Sequence, residues 1–320
     1  MRKPLASLII PAHNAERFLG QAIESAMSAI KQCPCEIIVV DDGSRDRTAS
    51  IARSYSPPVK LIQKDNGGAA SARNAGVLAA ESDLVLLLDA DDTALPDRVD
   101  MQVAYMLEHP EIDVTFGNII VDRRPGLDYL RTAGLAPSGR FTRLWRPLQR
   151  LLCDGNVVPN STAAIRRSTY LAAGMEREDV SFGEDYLMWC SIAGRGNFAY
   201  TTRSLAWYRR HKTSASNSGA AYKWMPLVLA EVLGRHAQAL RPSEHRELLR
   251  RFQRSADMLC RHEWASSGRR AALESMRQHH GLIPRGQWMK WFLLTLVPGA
   301  LPRGCRCVLR NCRGLGSAGC

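Results

Sequence analysis

Leu84-Val85-Leu86-Leu87-Leu88-Asp89-Ala90-Asp91-Asp92 decides the architecture: an apolar run of strand length ends abruptly in a cluster of carboxylates. A short run without polar alternation fits a strand covered on both faces, as in parallel sheets between helices. Carboxylates at its end are costly to desolvate unless a cation or hydrogen-bond donors meet them. The stretch therefore predicts a buried strand that feeds a polar crevice.

Upstream, the same pattern recurs. SLIIPAHN (7–14) ends in Pro11-Ala12-His13-Asn14, and IIVVDDGS (37–44) ends in Asp41-Asp42-Gly43-Ser44. Strands are expected at 5–10, 36–40, 59–62 and 84–88, with helices at 18–29, 48–54 and 69–80 between them. Strands joined by crossovers of this length run parallel. Open sheets of this kind bind ligands at the carboxyl ends of their strands, where these polar groups fall. Asp46 and Asp97 read instead as helix caps.

Asp89 and Asp91 form an Asp-x-Asp step able to hold one hard divalent cation, with diphosphate oxygens filling other positions. Mg²⁺ or Mn²⁺ suits these oxygen ligands better than Zn²⁺. Asn66-Gly67-Gly68 opens the third helix and brings free backbone N–H groups beside Arg73 and Asn74, a setting for an anionic or polar ligand.

The rest of the chain is less regular. Residues 122–159 are rich in Arg, Pro and Gly and read as a loop-bearing, pocket-shaping region. Residues after 217 turn helical and basic, with Arg246, Arg250, Arg251, Arg254 and Arg261 close together. Of the 43 Lys and Arg, 17 fall in 221–320 against 6 of the 31 acids, so the preceding part is nearly neutral. That split argues against a nucleic-acid binder and for a catalytic body with a basic region suited to a polyanion or an anionic lipid surface. Residues 288–297 carry Trp288 and Trp291 in an apolar run too short to span a bilayer, which reads equally as an interfacial segment or a buried helix. Nine cysteines, mostly scattered, fit free thiols in a cytoplasmic protein, with peripheral contact at the inner face of the cytoplasmic membrane. Cys305, Cys307, Cys312 and Cys320 lack the spacing of a zinc site.

The openings SLIIPAHNAERFLGQAIESAMS, IIVVDDGSRDRTASIA, NGGAASARNAG and LVLLLDADD, in this order, resemble the family 2 glycosyltransferases over residues 5 to 212. The resemblance implies a GT-A-type α/β fold: a mostly parallel central sheet flanked by helices, followed by the basic helical region. The implied catalytic domain covers 1–217, with a nucleotide-sugar half at 1–121 and an acceptor half at 122–217; the basic region covers 218–320.

It also implies roles. Pro11, Ala12, Asn14, Asp41 or Asp42, and Arg73 would line the nucleoside pocket. Asp89 would serve the ribose and the metal, and Asp91 the metal, with Asp92 beside them. His211 resembles a histidine that closes over the metal or diphosphate, and Arg209 or Arg210 would pair with phosphate oxygens. In Gly183-Glu184-Asp185-Tyr186 the acidic pair resembles the catalytic-base motif, giving Asp185 the base role and Glu184 the acceptor. His13 departs from the aromatic Tyr common in relatives.

The implied reaction is inverting transfer from a nucleoside diphosphate sugar, UDP-sugar favoured, to a glycan or glycolipid hydroxyl in cell-surface polysaccharide or glycolipid assembly. A polyprenyl-phosphate sugar synthase and a non-catalytic nucleotide-sugar-binding module are the alternatives.

Overall fold

The computed structural model describes residues 3–55, 57–122, 128–211 and 220–278. The segment 288–297 and the four C-terminal cysteines lie outside the described residues. The chain divides into two compact units, Met1–Ser214 and Ala215–Cys320.

The first unit alternates strands and helices from its start: β1 (Ala6–Ala12), α1 (Leu19–Ala29), β2 (Cys35–Asp42), α2 (Thr48–Ser54), β3 (Val59–Lys64), α3 (Gly68–Ala79) and β4 (Leu84–Leu87). There follow β5 (Thr93–Ala94), α4 (Arg98–Glu108), β6 (Val114–Val121), α5 (Tyr129–Thr132), β7 (Thr142–Arg143) and α6 (Pro147–Asp154). A short 3-10 turn (Asn160–Thr162), β8 (Ala164–Arg166), α7 (Arg167–Ala172), α8 (Glu184–Ala193) and β9 (Phe198–Tyr208) complete it. One nine-stranded sheet runs β3-β2-β1-β4-β8-β6-β9-β5, with β7 also on β9. β3, β2, β1 and β4 are mutually parallel; β8 is antiparallel to both β4 and β6, which restores β6 and β9 to the original direction.

Both-face burial explains the first four strands. Leu8, Ile9, Ile10, Ile37, Ile38, Val39, Val40 and Val85–Leu88 are all fully buried, as an apolar run between two helix layers requires. β3 is the edge strand and keeps Lys60 exposed. β2 extends two residues beyond the apolar run because its terminal acids find partners on β3. Asp41 pairs in register with Gln63 and Asp42 with Lys64, and each side chain hydrogen-bonds its opposite number at 3.1 and 2.8 Å. Asp46 takes the Thr48 N–H at 2.9 Å at the start of α2. Asp97 precedes α4 but accepts no helix N–H; its carboxylate pairs with Lys31 instead.

Helix α3 lies close on the sheet because residue 76 is glycine. A Cβ there would stand 2.4 Å from Ile9 Cγ2 and 3.2 Å from Val40 Cγ2. The second unit contributes α9 (Ala220–His236) and α10 (Pro242–Gln278). Val228, Leu229 and Val232 of α9 are buried, as are Leu248, Phe252, Ala256 and Leu259 of α10. Among the crowded arginines, Arg250 and Arg254 pair with Glu247 and Arg261 pairs with Asp257, all within the same helix. Among the described residues no helix is long and apolar enough to cross a membrane.

Gly76→Ala sets two effects against each other. Helix propensity gains about 1 kcal/mol, whereas overpacking a tight interface costs about 1–3 kcal/mol. The 2.4 Å approach makes the second effect win, so we expect a net loss of stability, read as a lower midpoint in urea unfolding. A midpoint at or above that of the parent would refute the close-packing account.

Candidate active site

The polar groups sit along the carboxyl edge of the sheet in three neighbouring clusters. The first gathers around the ends of β1 and β2. Asp42 is buried, and its carboxylate accepts from Lys64 Nζ at 2.8 Å and from the backbone N–H groups of Gly67 and Gly68 at 3.0 and 2.8 Å. It thus fixes the start of α3, where Gly68 adopts a φ of +88° that a side chain would resist. Asp41 accepts the Ser44 N–H at 3.1 Å and one bond from Gln63. His13 Nδ1 lies 2.8 Å from the Asp42 carbonyl and 2.9 Å from Asn66 Nδ2, and Nε2 lies 2.8 Å from Asn14 Nδ2. Asn14, at φ +47°, in turn takes the Arg45 N–H. Pro11 and Ala12 flank this cluster, opposite Val40 and Asp41 in register.

The second cluster is built by pairing of distant segments. Thr93 of β5 pairs with Trp207 of β9, so the residues before β5 meet those after β9. His211 Nε2 lies 2.8 Å from Asp91 Oδ2. The Arg209 backbone N–H donates to Asp92 Oδ1 at 2.9 Å, and the Ser161 hydroxyl donates to Asp92 Oδ2 at 2.5 Å. Ser161 Oγ also accepts the Asp89 N–H. Burial and the neighbouring Asp89 and Asp91 push the Asp92 carboxyl well up. Asp92 thus has both oxygens engaged by the scaffold. The Arg209 guanidinium lies 4.8 Å over the Phe18 ring and donates to Gln21. His211 contacts the same ring.

Asp91 and His211 stay partly open, with side chains 32 and 18 % exposed. Burial and Asp89 raise the Asp91 carboxyl, a load that a cation would relieve. Among the described residues no group of three His, Cys, Asp or Glu is gathered to enclose a metal unaided. A carboxylate beside an imidazole, with Asp89 adjacent, is a donor set that fits a divalent cation completed by ligand oxygens.

The third cluster surrounds Arg73. This residue is buried. Its Nη1 donates to Glu176 and to Glu184 Oε1 at 3.3 Å, and its Nε lies 3.7 Å from Asp89 Oδ1. Asp185 stands at the start of α8, where Gly183 has φ +84° and the helix terminus favours acids. Its Oδ1 accepts the Tyr186 N–H at 2.7 Å and its Oδ2 accepts from Asn156 at 2.9 Å. Burial, reinforced by Glu184 and opposed by Arg73, pushes the Asp185 carboxyl up to about 6.

Asp89 therefore links the acids expected of the metal to those expected of the base. Glu176, Ser161, Phe18 and Asn156 are absent from the sequence reading. Each acts through a tertiary contact that no local pattern announces.

The Glycosyl transferase family 2 profile matches residues 7–170. An uncharacterised glycosyltransferase of Rickettsia typhi is 26 % identical over 217 residues, covering 67 % of each chain. One from Haemophilus influenzae is 35 % identical over 122 residues, covering 37 % of this chain and 48 % of that one. Among solved structures, Staphylococcus aureus TarS 1–349 in complex with UDP-GlcNAc superposes with a TM-score of 0.66 at 19 % identity, over 97 % of this chain and 90 % of that one. The Pyrobaculum calidifontis mannosyltransferase in complex with GDP-Man and Mn²⁺ gives 0.54 at 15 % identity, over 98 and 85 %. The chain belongs to glycosyl transferase family 2, and its fold is of the GT-A type.

Proposed function

We propose that the chain transfers a sugar, with inversion, from a nucleoside diphosphate sugar to a hydroxyl of a glycan or glycolipid. The observation that carries this reading is the convergence on Arg73 of Asp89, from the Asp-x-Asp turn, with Glu184, beside Asp185 at the start of α8. Donor-side and acceptor-side acids thereby share one crevice. Complexes of structural neighbours with UDP-GlcNAc and with GDP-Man support a nucleotide-sugar donor, and we favour a UDP-sugar.

Asp41, His13 and Asn14 lie at the crevice end where the base and ribose would sit. Asp91 and His211, with Asp89, would hold Mg²⁺ or Mn²⁺. Such a cation supplies charge neutralisation for the departing diphosphate. Asp185 receives the proton of the acceptor hydroxyl as its oxygen bonds to the anomeric carbon and the carbon–diphosphate oxygen bond breaks. Asn156 and the Tyr186 N–H hold the carboxylate in place for that transfer. Glu184, restrained by Arg73, borders the acceptor side.

Three outcomes test the reading. Asp185→Asn is expected to lower kcat for transfer by about 10²–10⁴-fold while donor binding, measured by calorimetry, persists. Undiminished transfer to a lipid phosphate by this variant would favour a polyprenyl-phosphate acceptor and remove the base. Asp91→Ala is expected to lose about 100-fold or more of nucleoside diphosphate release, and chelator should do the same to the parent. Release unaffected by both would remove the cation. Because Asp185 must be ionised to accept a proton and its burial beside Glu184 pushes the carboxyl up to about 6, kcat should rise with pH through that value. A flat profile between pH 5 and pH 7, a window of about one unit on either side, would contradict the assignment.

A further inference from the structure

Glu176 follows a sharp turn at Gly174 and Met175, both at positive φ. Its backbone is gripped on both sides by Asn74: the Glu176 N–H donates to Asn74 Oδ1 at 3.1 Å, and Asn74 Nδ2 donates to the Glu176 carbonyl at 2.9 Å. Tyr170 adds a hydroxyl bond to the same Asn74 oxygen at 2.7 Å. Two bonds from Asn74, itself steadied by Tyr170, therefore fix the main chain at a residue whose side chain is wholly buried. Oε2 accepts from Arg73 Nη1, while Oε1 has no partner. A carboxyl group is costly to bury half-satisfied unless its one contact matters.

That contact decides where a single guanidinium stands among competing acids. Arg73 faces Glu176 at the closed back of the crevice, and Glu184 and Asp89 on its open side. The same Nη1 serves both glutamates, so the pull of one is set against the pull of the other. Without Glu176, the cation would be free to advance on Glu184, Asp89 and Asp185.

We propose that Glu176 is a positioning residue for the transfer reaction: it holds Arg73 back, and so sets the orientation of Glu184 and the strength of Asp185 as a base. The inference rests on the assignment of Asp185 made above. Burial pushes Glu176 up to about 8, with Arg73 opposing and Glu184 and Asp185 adding to the rise. The anchoring contact survives either protonation state, because Oε2 accepts from Arg73 in both.

The test compares Glu176→Met, which fills the volume without an acceptor, with Glu176→Gln, which keeps an oxygen for Arg73. In Glu176→Met, Arg73 moves towards Asp185, and a nearer cation favours the carboxylate. The acid limb of the kcat profile should move down by about one pH unit, and plateau kcat should fall about tenfold as the base weakens. Glu176→Gln should recover kcat to within about threefold of the parent. A purely structural role would scale kcat with the folded fraction and leave the limb where it was; that result overturns the proposal. If Glu176→Met does not fold, Glu176→Ala carries the same comparison. Parallel profiles of Asp185→Asn separate the two failures. If that variant keeps normal transfer, the base assignment has fallen. If it is inactive while the Glu176→Met limb is unmoved, only the present inference has.

Discussion

A guanidinium taken out of water costs several kcal/mol unless carboxylates surround it, and Arg73 meets that condition with acids drawn from three separate parts of the chain. Asp89 comes from the end of β4, Glu184 from the start of α8, and Glu176 from the turn after α7. Removing the cation would leave Glu176 buried without its one side-chain partner and the other acids unopposed. The crevice is therefore organised around a fixed positive charge, with the reactive carboxylates at its margin. Burial keeps that charge from being screened by solvent, so small displacements of it alter Asp185 more than a surface arginine could.

The second organising constraint is the pairing of β5 with β9. It carries Arg209 and His211 across the sheet to the Asp89-Ala90-Asp91-Asp92 turn, where Asp92 ties the two segments through a backbone bond and Ser161. Asp91 is left facing His211. Adjacent carboxylates thus take opposite roles, one spent on the scaffold and one left open. The division follows from the turn geometry and not from residue type.

This explains what could be read in advance. The parallel strands and their helices were legible because both-face burial leaves a direct mark: unbroken apolar runs at 8–10, 37–40 and 84–88, separated by helix-length segments. The location of the crevice followed from the acids and polar groups at their ends. What stayed hidden was the orientation of each side chain. Asp41 and Asp42 are both buried and bonded, Asp42 by Lys64 and the glycines of α3 and Asp41 by Ser44 and Gln63, which no local pattern announces. Whether Arg73 meets solvent or Glu176 depends on a turn more than a hundred residues away. Glu176 carries no periodicity or spacing signal, since its setting is made by Asn74 and Tyr170 from other elements. Asp97 shows the same limit, for its position is that of a cap while its partner is Lys31.

Asp42 has a consequence for how such a site diversifies. A carboxylate already claimed by an ammonium and two main-chain amides has little left to recognise a ligand, and replacing it would loosen the origin of α3 together with Arg73. Any replacement at position 42 must therefore give up its hold on the first turn of α3 before it can gain a ligand contact.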